Sequence, residues 1–181
     1  LPLKKNYLNK SNIINYSCFF EKKYKSNIQK VNWAASNNVF LEYDIIKKHK
    51  LIFDKTLNKF GVGEDQLFFS KLNNYGHKIY WSKSVRVFEN IHEHRLNLRW
   101  LIRRSFRLGV LGHYIDISLY GKFMGFIINY LKCIYYFAKT FSFIFLFFNS
   151  KFQTQMLNFF FRFYGRLIGP FFLKKIDFFR K

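Results

Sequence analysis

Residues 60–69 read Phe-Gly-Val-Gly-Glu-Asp-Gln-Leu-Phe-Phe and place an acidic pair, Glu64 and Asp65, behind two glycines. Glycine adopts the backbone angles of tight loops that other residues avoid. Apolar residues follow Asp65 at i+3, i+4 and i+7, which is the spacing of one helical face. The stretch therefore predicts a loop that leads into a helix over about 64–75, with Gly76 as its C-cap.

This arrangement suits a positioned carboxylate. A helix N-terminus stabilises a negative charge by about 0.3–1 kcal/mol, and the loop before it leaves room for a substrate. A general base must be held in a fixed position, and a carboxylate at the start of a helix, such as Asp65, is held in that way. The alternative is an acid that only caps an ordinary helix.

Further elements follow from local patterns. Residues 1–30 form a polar, poorly defined lead-in or the edge of a truncated domain, and 31–41 an extended segment. A short helix is expected over 42–49, followed after the Asp65 helix by strands over 77–81 and 84–89. A helix over about 96–108 would then be stopped by Gly109.

An ordered series of short motifs runs from Trp33 to Gly109. Its pieces are residues 34–40, 53–55, 63–65, 71–72, 76–81, 84–89, Arg95 and 99–109. In order and spacing the series resembles the C-terminal half of a family 2 glycosyltransferase. The resemblance implies an α/β fold, the acceptor-side part of a GT-A (nucleotide-diphospho-sugar transferase) fold, followed by membrane-associated helices. It implies three parts: the lead-in 1–30, a catalytic portion 31–115 and a hydrophobic, basic helical region 116–181.

The resemblance implies roles for three residues near the acceptor. Asp65 matches the catalytic base of the family, and Glu64 beside it would shape the acceptor site. The alternative for Glu64 is solvent exposure or a hydrogen bond within the loop. Asn38 matches an asparagine near the acceptor, or its amide simply holds a turn.

Arginines recur every four residues along the helix expected after residue 96. Arg95, Arg99, Arg103 and Arg107 would share one stripe, with Trp100 next to it. Arginine forks suit phosphate oxygens, so the stripe is a candidate site for the diphosphate of a donor or of a lipid acceptor. The alternative is a face that meets solvent or a membrane surface.

The resemblance also implies a divalent cation, Mg²⁺ or Mn²⁺, whose main ligands would precede residue 1. Glu89 stands where many family members add a further ligand, and a carboxylate is suitable for either ion. A structural or acceptor-binding role for Glu89 is an equal alternative. His92 and His94 are close in sequence, but such a loop pair is more often exposed than metal-bound.

The formal charge is +21, from 31 Lys and Arg against 10 Asp and Glu. Such an excess favours anionic partners, although a general bias toward Lys, Asn, Ile, Phe and Tyr is an alternative origin. Nucleic-acid binding would want aromatic residues interleaved with basic ones on a soluble platform. Here the aromatic residues concentrate in the apolar C-terminal region, which favours a lipid surface over nucleic acid.

Two C-terminal segments, 123–148 and 156–172, are rich in apolar residues. Lys122, Asn129, Lys132 and Lys139 interrupt the first one and cluster on one side of a helical wheel. This pattern favours an interfacial helix with snorkelling lysines, although residues 133–148 could dip into the bilayer. The alternative is a helical cap buried on the catalytic domain. The expected location is the cytoplasmic side of the membrane.

These observations predict an enzyme that moves a sugar from a nucleotide-activated donor to the hydroxyl of a glycan or lipid-linked acceptor, with inversion. We expect this chain to lack the donor-binding half and to be inactive in isolation. The alternatives are a non-catalytic basic protein that binds membrane surfaces and a catalytically dead remnant.

Overall fold

The computed structural model describes residues 26–87, 92, 95–144 and 150–178. Within these ranges the chain forms two strands, a short 3-10 helix and six α-helices. The strands are β1 (Ile28–Val31) and β2 (Ile79–Ser82), and the 3-10 helix spans Ser36–Asn38. The helices are α1 (Tyr43–His49), α2 (Lys55–Phe60), α3 (Glu64–Asn74), α4 (Leu98–Tyr120), α5 (Lys122–Ile144) and α6 (Ser150–Phe178).

Residues 26–82 form an N-terminal unit in which α3 is the central element. One cluster of buried side chains on α3, Phe68, Phe69 and Leu72, packs with Leu51 and with the partly buried Ile79 of β2. A second cluster joins this unit to α4 and contains Leu57, Val62, Leu67, Leu111 and Ile115. α3 is thereby covered on one side by the loop and strand residues and on another by α4.

The two strands pair over a long sequence separation. β1 runs antiparallel to β2, with Ile28 opposite Ser82 and Val31 opposite Ile79. The predicted strand over 77–81 is confirmed, with observed bounds of 79–82. Its predicted neighbour over 84–89 is wrong for the described part of that segment, because residues 84–87 form no strand there.

The fold-class prediction, an α/β GT-A fold followed by membrane-associated helices, is wrong. Such a fold requires a broad, mostly parallel sheet between helices. The described ranges contain instead one sheet of two antiparallel strands, and most of their residues are helical. The helices after residue 98 were expected, and the prediction fails before them. Residues 32–41 and 84–87 form no strand, so β1 and β2 pair only with each other in the described ranges.

Helices α4, α5 and α6 form a C-terminal bundle. The backbones of α4 and α6 touch at two glycines, because a Cβ on Gly109 would collide with the carbonyl oxygen of Arg162 and lie 2.9 Å from Cα of Gly165. Gly109 was predicted to end its helix, but α4 continues to Tyr120. The absent side chain serves close helix packing here and not a C-cap.

Two of the polar residues of α5 contact the other helices of the bundle. Asn129 is 2% exposed, and Nζ of Lys132 lies 2.6 Å from Oδ1 of Asp116 on α4. Lys132 therefore does not snorkel outward as predicted, whereas Lys122 and Lys139 are exposed. None of the helices within the described ranges is both long and apolar enough to cross a membrane.

Candidate functional site

The turn between α2 and α3 sets the position of the acidic pair. α2 ends at Gly61 (φ 63°) and α3 starts after Gly63 (φ 89°), so both glycines adopt left-handed backbone angles. A Cβ on Gly63 would lie 3.0 Å from Cδ1 of Ile115, which shows that the turn packs closely on α4. Glu64 and Asp65 accordingly occupy the first turn of α3, as the sequence predicts.

Glu64 has an unusual environment. Both acidic side chains are half-buried, but the Oε2 atom of Glu64 is fully buried and has no hydrogen-bond partner in the described part of the chain. Leaving a buried acceptor unpaired costs about 1–3 kcal/mol, and more for a charged group. This atom is therefore a place where a donor group of a ligand would be stabilised.

The N-terminal part of α4 carries a cavity. The side-chain oxygen of Asn97 accepts a hydrogen bond of 2.8 Å from the backbone N–H of Trp100 and thereby caps the helix. Beyond the cap lies a cavity of about 590 Å³. It is lined by Asn97, Arg99, Trp100, Arg103, Phe106 and Arg107.

Three of the predicted arginine positions share this cavity, because four-residue steps keep side chains on one side of a helix. In the described part of the chain, Arg99, Arg103 and Arg107 have no carboxylate oxygen within ion-pair distance. Arg104 lies beside them, with its guanidinium carbon 5.2 Å from the ring centroid of Trp100. The cavity is thus strongly cationic.

Arg107 joins the cavity to the acidic turn. Its Nη1 donates a hydrogen bond of 3.1 Å to the carbonyl oxygen of Phe60, the last residue of α2. Its Nε is buried and has no partner among the described residues. The described residues thus leave one buried donor unpaired, Nε of Arg107, and one buried acceptor unpaired, Oε2 of Glu64.

The arginine cluster shifts the pKa of one of its own members. Burial lowers the pKa of Arg104, and the positive charges of Arg95, Arg107 and Arg162 lower it further, whereas Glu64 raises it. The fold thus holds several positively charged guanidinium groups close together, although they repel one another. An anion that entered the cavity would relieve that repulsion.

Other predicted site residues lie elsewhere. Nδ2 of Asn38 donates a hydrogen bond of 3.3 Å to the carbonyl oxygen of Val85, so its amide holds a loop, and it does not line the cavity. Arg95 precedes α4 and is half-buried. Glu89 and His94 fall outside the described residues, and His92 is exposed.

The predicted Mg²⁺ or Mn²⁺ site is not tested by the described residues, because the resemblance puts its main ligands elsewhere and Glu89 lies outside the described ranges. Across the described ranges, no three His, Cys, Asp or Glu side chains come together in a group that could hold a metal ion. The sequence placed the main ligands before residue 1.

Sequence reasoning missed the role of Asp54. Its Oδ1 accepts hydrogen bonds from the backbone N–H groups of Thr56 (2.8 Å) and Leu57 (3.0 Å), and its Oδ2 accepts one from the Tyr114 hydroxyl at 2.9 Å. Burial raises the pKa of Asp54, but these hydrogen bonds and Lys71 outweigh burial and hold it below its usual range. An Asp directly before a helix was a local capping signal for this role.

A buried ionic network was also missed. Asp116 is 1% exposed and accepts from Nη1 of Arg166 at 2.6 Å as well as from Lys132. The same Arg166 atom donates to Oδ1 of Asn129 at 2.9 Å. The signal was a lone acid in an apolar helix and basic residues in the two apolar segments that follow.

No family model, no curated protein and no solved structure matches this chain.

Proposed function

We propose that this chain supplies the acceptor side of a glycosyltransferase that uses a nucleotide-activated sugar. The observation that carries the proposal is the junction of the acidic turn with the arginine cavity. The resemblance assigned one motif to proton abstraction and the other to phosphate binding, and Arg107 of the cavity donates a hydrogen bond of 3.1 Å to the carbonyl oxygen of Phe60, which precedes the acidic turn. Residues 64–65 and 99–107 are separate in sequence, so this proximity is a property of the fold.

In the proposed reaction, Asp65 takes the proton from the acceptor hydroxyl as its oxygen attacks the anomeric carbon of the donor. The new C–O bond forms as the bond to the nucleoside diphosphate breaks, with inversion at that carbon. Glu64 would shape the acceptor site beside Asp65, and the arginines would hold phosphate oxygens. The donor-binding part and the main ligands of a divalent cation would come from sequence outside this chain.

A glycan or lipid-linked acceptor at the cytoplasmic side of a membrane fits the rest of the surface. Large apolar side chains cover the outer face of α5, including Phe123, Ile127, Leu131 and Ile134. An exposed apolar stripe of this kind marks a binding surface in a folded protein. Together with the formal charge of +21 it favours an anionic lipid surface.

The experiment is a turnover assay on the full reading frame, extended upstream of residue 1. Asp65→Asn is compared with wild type for nucleotide release from a panel of nucleotide sugars, with isothermal titration of donor binding in parallel. We expect a loss of about 10²–10⁴-fold in turnover with unchanged donor affinity, because only proton transfer is removed. Asp44→Asn, at an exposed acid in the first turn of α1, is the matched control and should be fully active.

An Asp65→Asn enzyme as active as wild type would exclude Asp65 as the base. A full reading frame that turns over no nucleotide sugar would favour the second candidate, a non-catalytic protein that binds membrane surfaces. The observation in favour of that candidate is the exposed apolar face of α5, which needs no chemistry.

A further inference from the structure

The arginine cavity continues into an aromatic surface. Phe106 lines the cavity, and its ring centroid lies 5.9 Å from that of Tyr164 and 6.4 Å from that of Phe172, both on α6. Tyr164 and Phe172 are about half exposed, and the neighbouring Phe171 is more exposed still. A ligand leaving the cavity past Phe106 would therefore meet apolar side chains.

Close packing of α4 and α6 makes this continuity possible. A Cβ on Gly165 would collide with the carbonyl oxygen of Phe106 and lie 3.0 Å from Cα of Gly109. Because no side chain separates the two backbones at this crossing, residues of α6 reach the edge of a cavity built on α4. The cationic and the aromatic surfaces thus belong to one continuous site.

The two ends of this site differ in chemistry. At one end Arg99, Arg103 and Arg107 have no carboxylate partner in the described ranges, and Nε of Arg107 is buried and unpaired. At the other end the lining is Phe106, Tyr164 and Phe172. A free phosphate would satisfy only the first end, and an uncharged hydrocarbon only the second.

We infer that the cavity binds an amphiphile, with its phosphate group on the arginines and its hydrocarbon chain along Phe106, Tyr164 and Phe172. The inference rests on the proposed function in that it names the class of the acceptor, a lipid that carries the attacking hydroxyl and is held on the arginines by a separate phosphate group. The phosphate would compensate the crowded guanidinium groups, and the chain would cover aromatic surface that is otherwise exposed.

The test is isothermal titration of the full chain with three probes. Dodecyl phosphate below its micelle concentration carries both parts of the proposed ligand. Inorganic phosphate carries only the anion, and dodecyl maltoside carries only the same tail on an uncharged head. We expect dodecyl phosphate to bind at least about tenfold more tightly than either partial probe, because only it contacts both ends.

Two exposed positions test the two ends without disturbing the core. Arg103→Gln should weaken dodecyl phosphate about tenfold and leave dodecyl maltoside unchanged, because it removes a charged donor. Phe172→Ser should weaken dodecyl phosphate severalfold and leave inorganic phosphate unchanged. Lys139→Gln removes one exposed charge from α5 and is the matched control, with no expected change in dodecyl phosphate binding.

Equal affinity for dodecyl phosphate and inorganic phosphate would overturn the inference, as would equal affinity for the two dodecyl probes. Unchanged dodecyl phosphate binding in Arg103→Gln would also overturn it. These measurements need no turnover, so they are independent of the Asp65→Asn assay. Specific dodecyl phosphate binding without sugar transfer would contradict the proposed function alone. Sugar transfer without such binding would contradict the proposed acceptor class alone.

Discussion

Helix α3 of the N-terminal unit and helix α5 of the C-terminal bundle bury opposite kinds of side chain. The fully buried side chains of α3 are Leu67, Phe68, Phe69 and Leu72. In the bundle, the buried residues of α5 are Gly125, Asn129 and Cys133, at i, i+4 and i+8, whereas most of its large apolar residues are exposed. The first region is organised by the hydrophobic effect in water.

The bundle is held together by different interactions. Small residues let its backbones touch, since a Cβ on Gly125 would lie 2.6 Å from Cα of Ile117. Charged and amide groups bind one another at its centre, around Asp116 and Arg166. Close approach of backbones and interhelical hydrogen bonds therefore hold α5 in place, with little contribution from buried apolar side chains of its own. The comparison shows that one chain uses two packing rules, divided between α3 and α5.

The largest expected effect is on the buried ionic network. Asp116→Ala leaves the guanidinium of Arg166, 4% exposed, without its carboxylate partner. We expect the free energy of unfolding to fall by about 3–5 kcal/mol, because an unpaired buried charge is strongly destabilising. Urea denaturation followed by far-UV circular dichroism measures the change.

Two further variants define the source of that loss. Lys132→Met removes the second basic partner of Asp116. The Lys132 side chain is 38% exposed, so its loss should lower the free energy of unfolding by about 1 kcal/mol or less. The pair replacement Asp116→Leu with Arg166→Met removes both buried charges and should recover most of the stability. A loss in the pair as large as in Asp116→Ala would show that shape, and not charge pairing, holds the bundle.

The second prediction compares one leucine from each region. Leu67 on α3 is 1% exposed and Leu131 on α5 is 60% exposed. In buffer, Leu67→Ala should lower the free energy of unfolding by about 2–5 kcal/mol, the cost of a core cavity. Leu131→Ala should change it by less than about 0.5 kcal/mol, because the side chain is already in contact with solvent.

Anionic vesicles sharpen this comparison. Leu131→Ala should weaken association of the protein with these vesicles in a sedimentation assay. Leu67 is buried between α3 and α4, so its side chain cannot contact a vesicle. If Leu131→Ala destabilised the protein in buffer as much as Leu67→Ala, the outer face of α5 would be packed against protein, and the contrast between the two regions would be lost.

Local signals in the sequence were sufficient for two helices of the N-terminal unit. The predicted helices over 42–49 and 64–75 are confirmed as Tyr43–His49 and Glu64–Asn74, because caps, glycines and apolar spacing act within a few residues. The four-residue arginine spacing correctly predicted a shared face, since Arg99, Arg103 and Arg107 line one cavity. The roles of these residues in catalysis and binding stay predictions.

Long-range choices could not be predicted in the same way. The partner of β2 is β1, which lies near the start of the described chain, and no periodicity in either segment specifies that pairing. A helical wheel grouped the polar residues of α5 correctly on one side, but it could not tell whether that side faces water, lipid or protein. Asp116 and Arg166 decide the matter, and they lie on two other helices.

The smallest expected effect concerns a histidine pair that fastens the end of α1 to the residues before β2. Nε2 of His49 lies 2.9 Å from Nε2 of His77, and the ring of Tyr75 stacks on His49 at 4.2 Å. The hydrogen bond needs a lone pair on one of the two nitrogens, so it is lost when both rings are protonated. Partial burial lowers the pKa of His49, and the nearby charges of His77 and Lys48 lower it further.

Because the pKa of His49 is lower in the folded chain than its unfolded value of about 6.5, the unfolded state binds more protons in acid. The contribution of the pair to stability is therefore complete above pH 6.5 and decreases as the pH falls through the folded pKa. His113, buried in the bundle, changes stability with pH in the same direction. Burial lowers its pKa, Asp116 raises it and Arg166 lowers it, and the net shift is downward. Titration of the His49 ring by NMR should give a pKa below 6.5 in the wild type. In His77→Gln that pKa should rise toward 6.5, and an unchanged value would show that His77 has no influence on His49 and that the contact does not fasten α1.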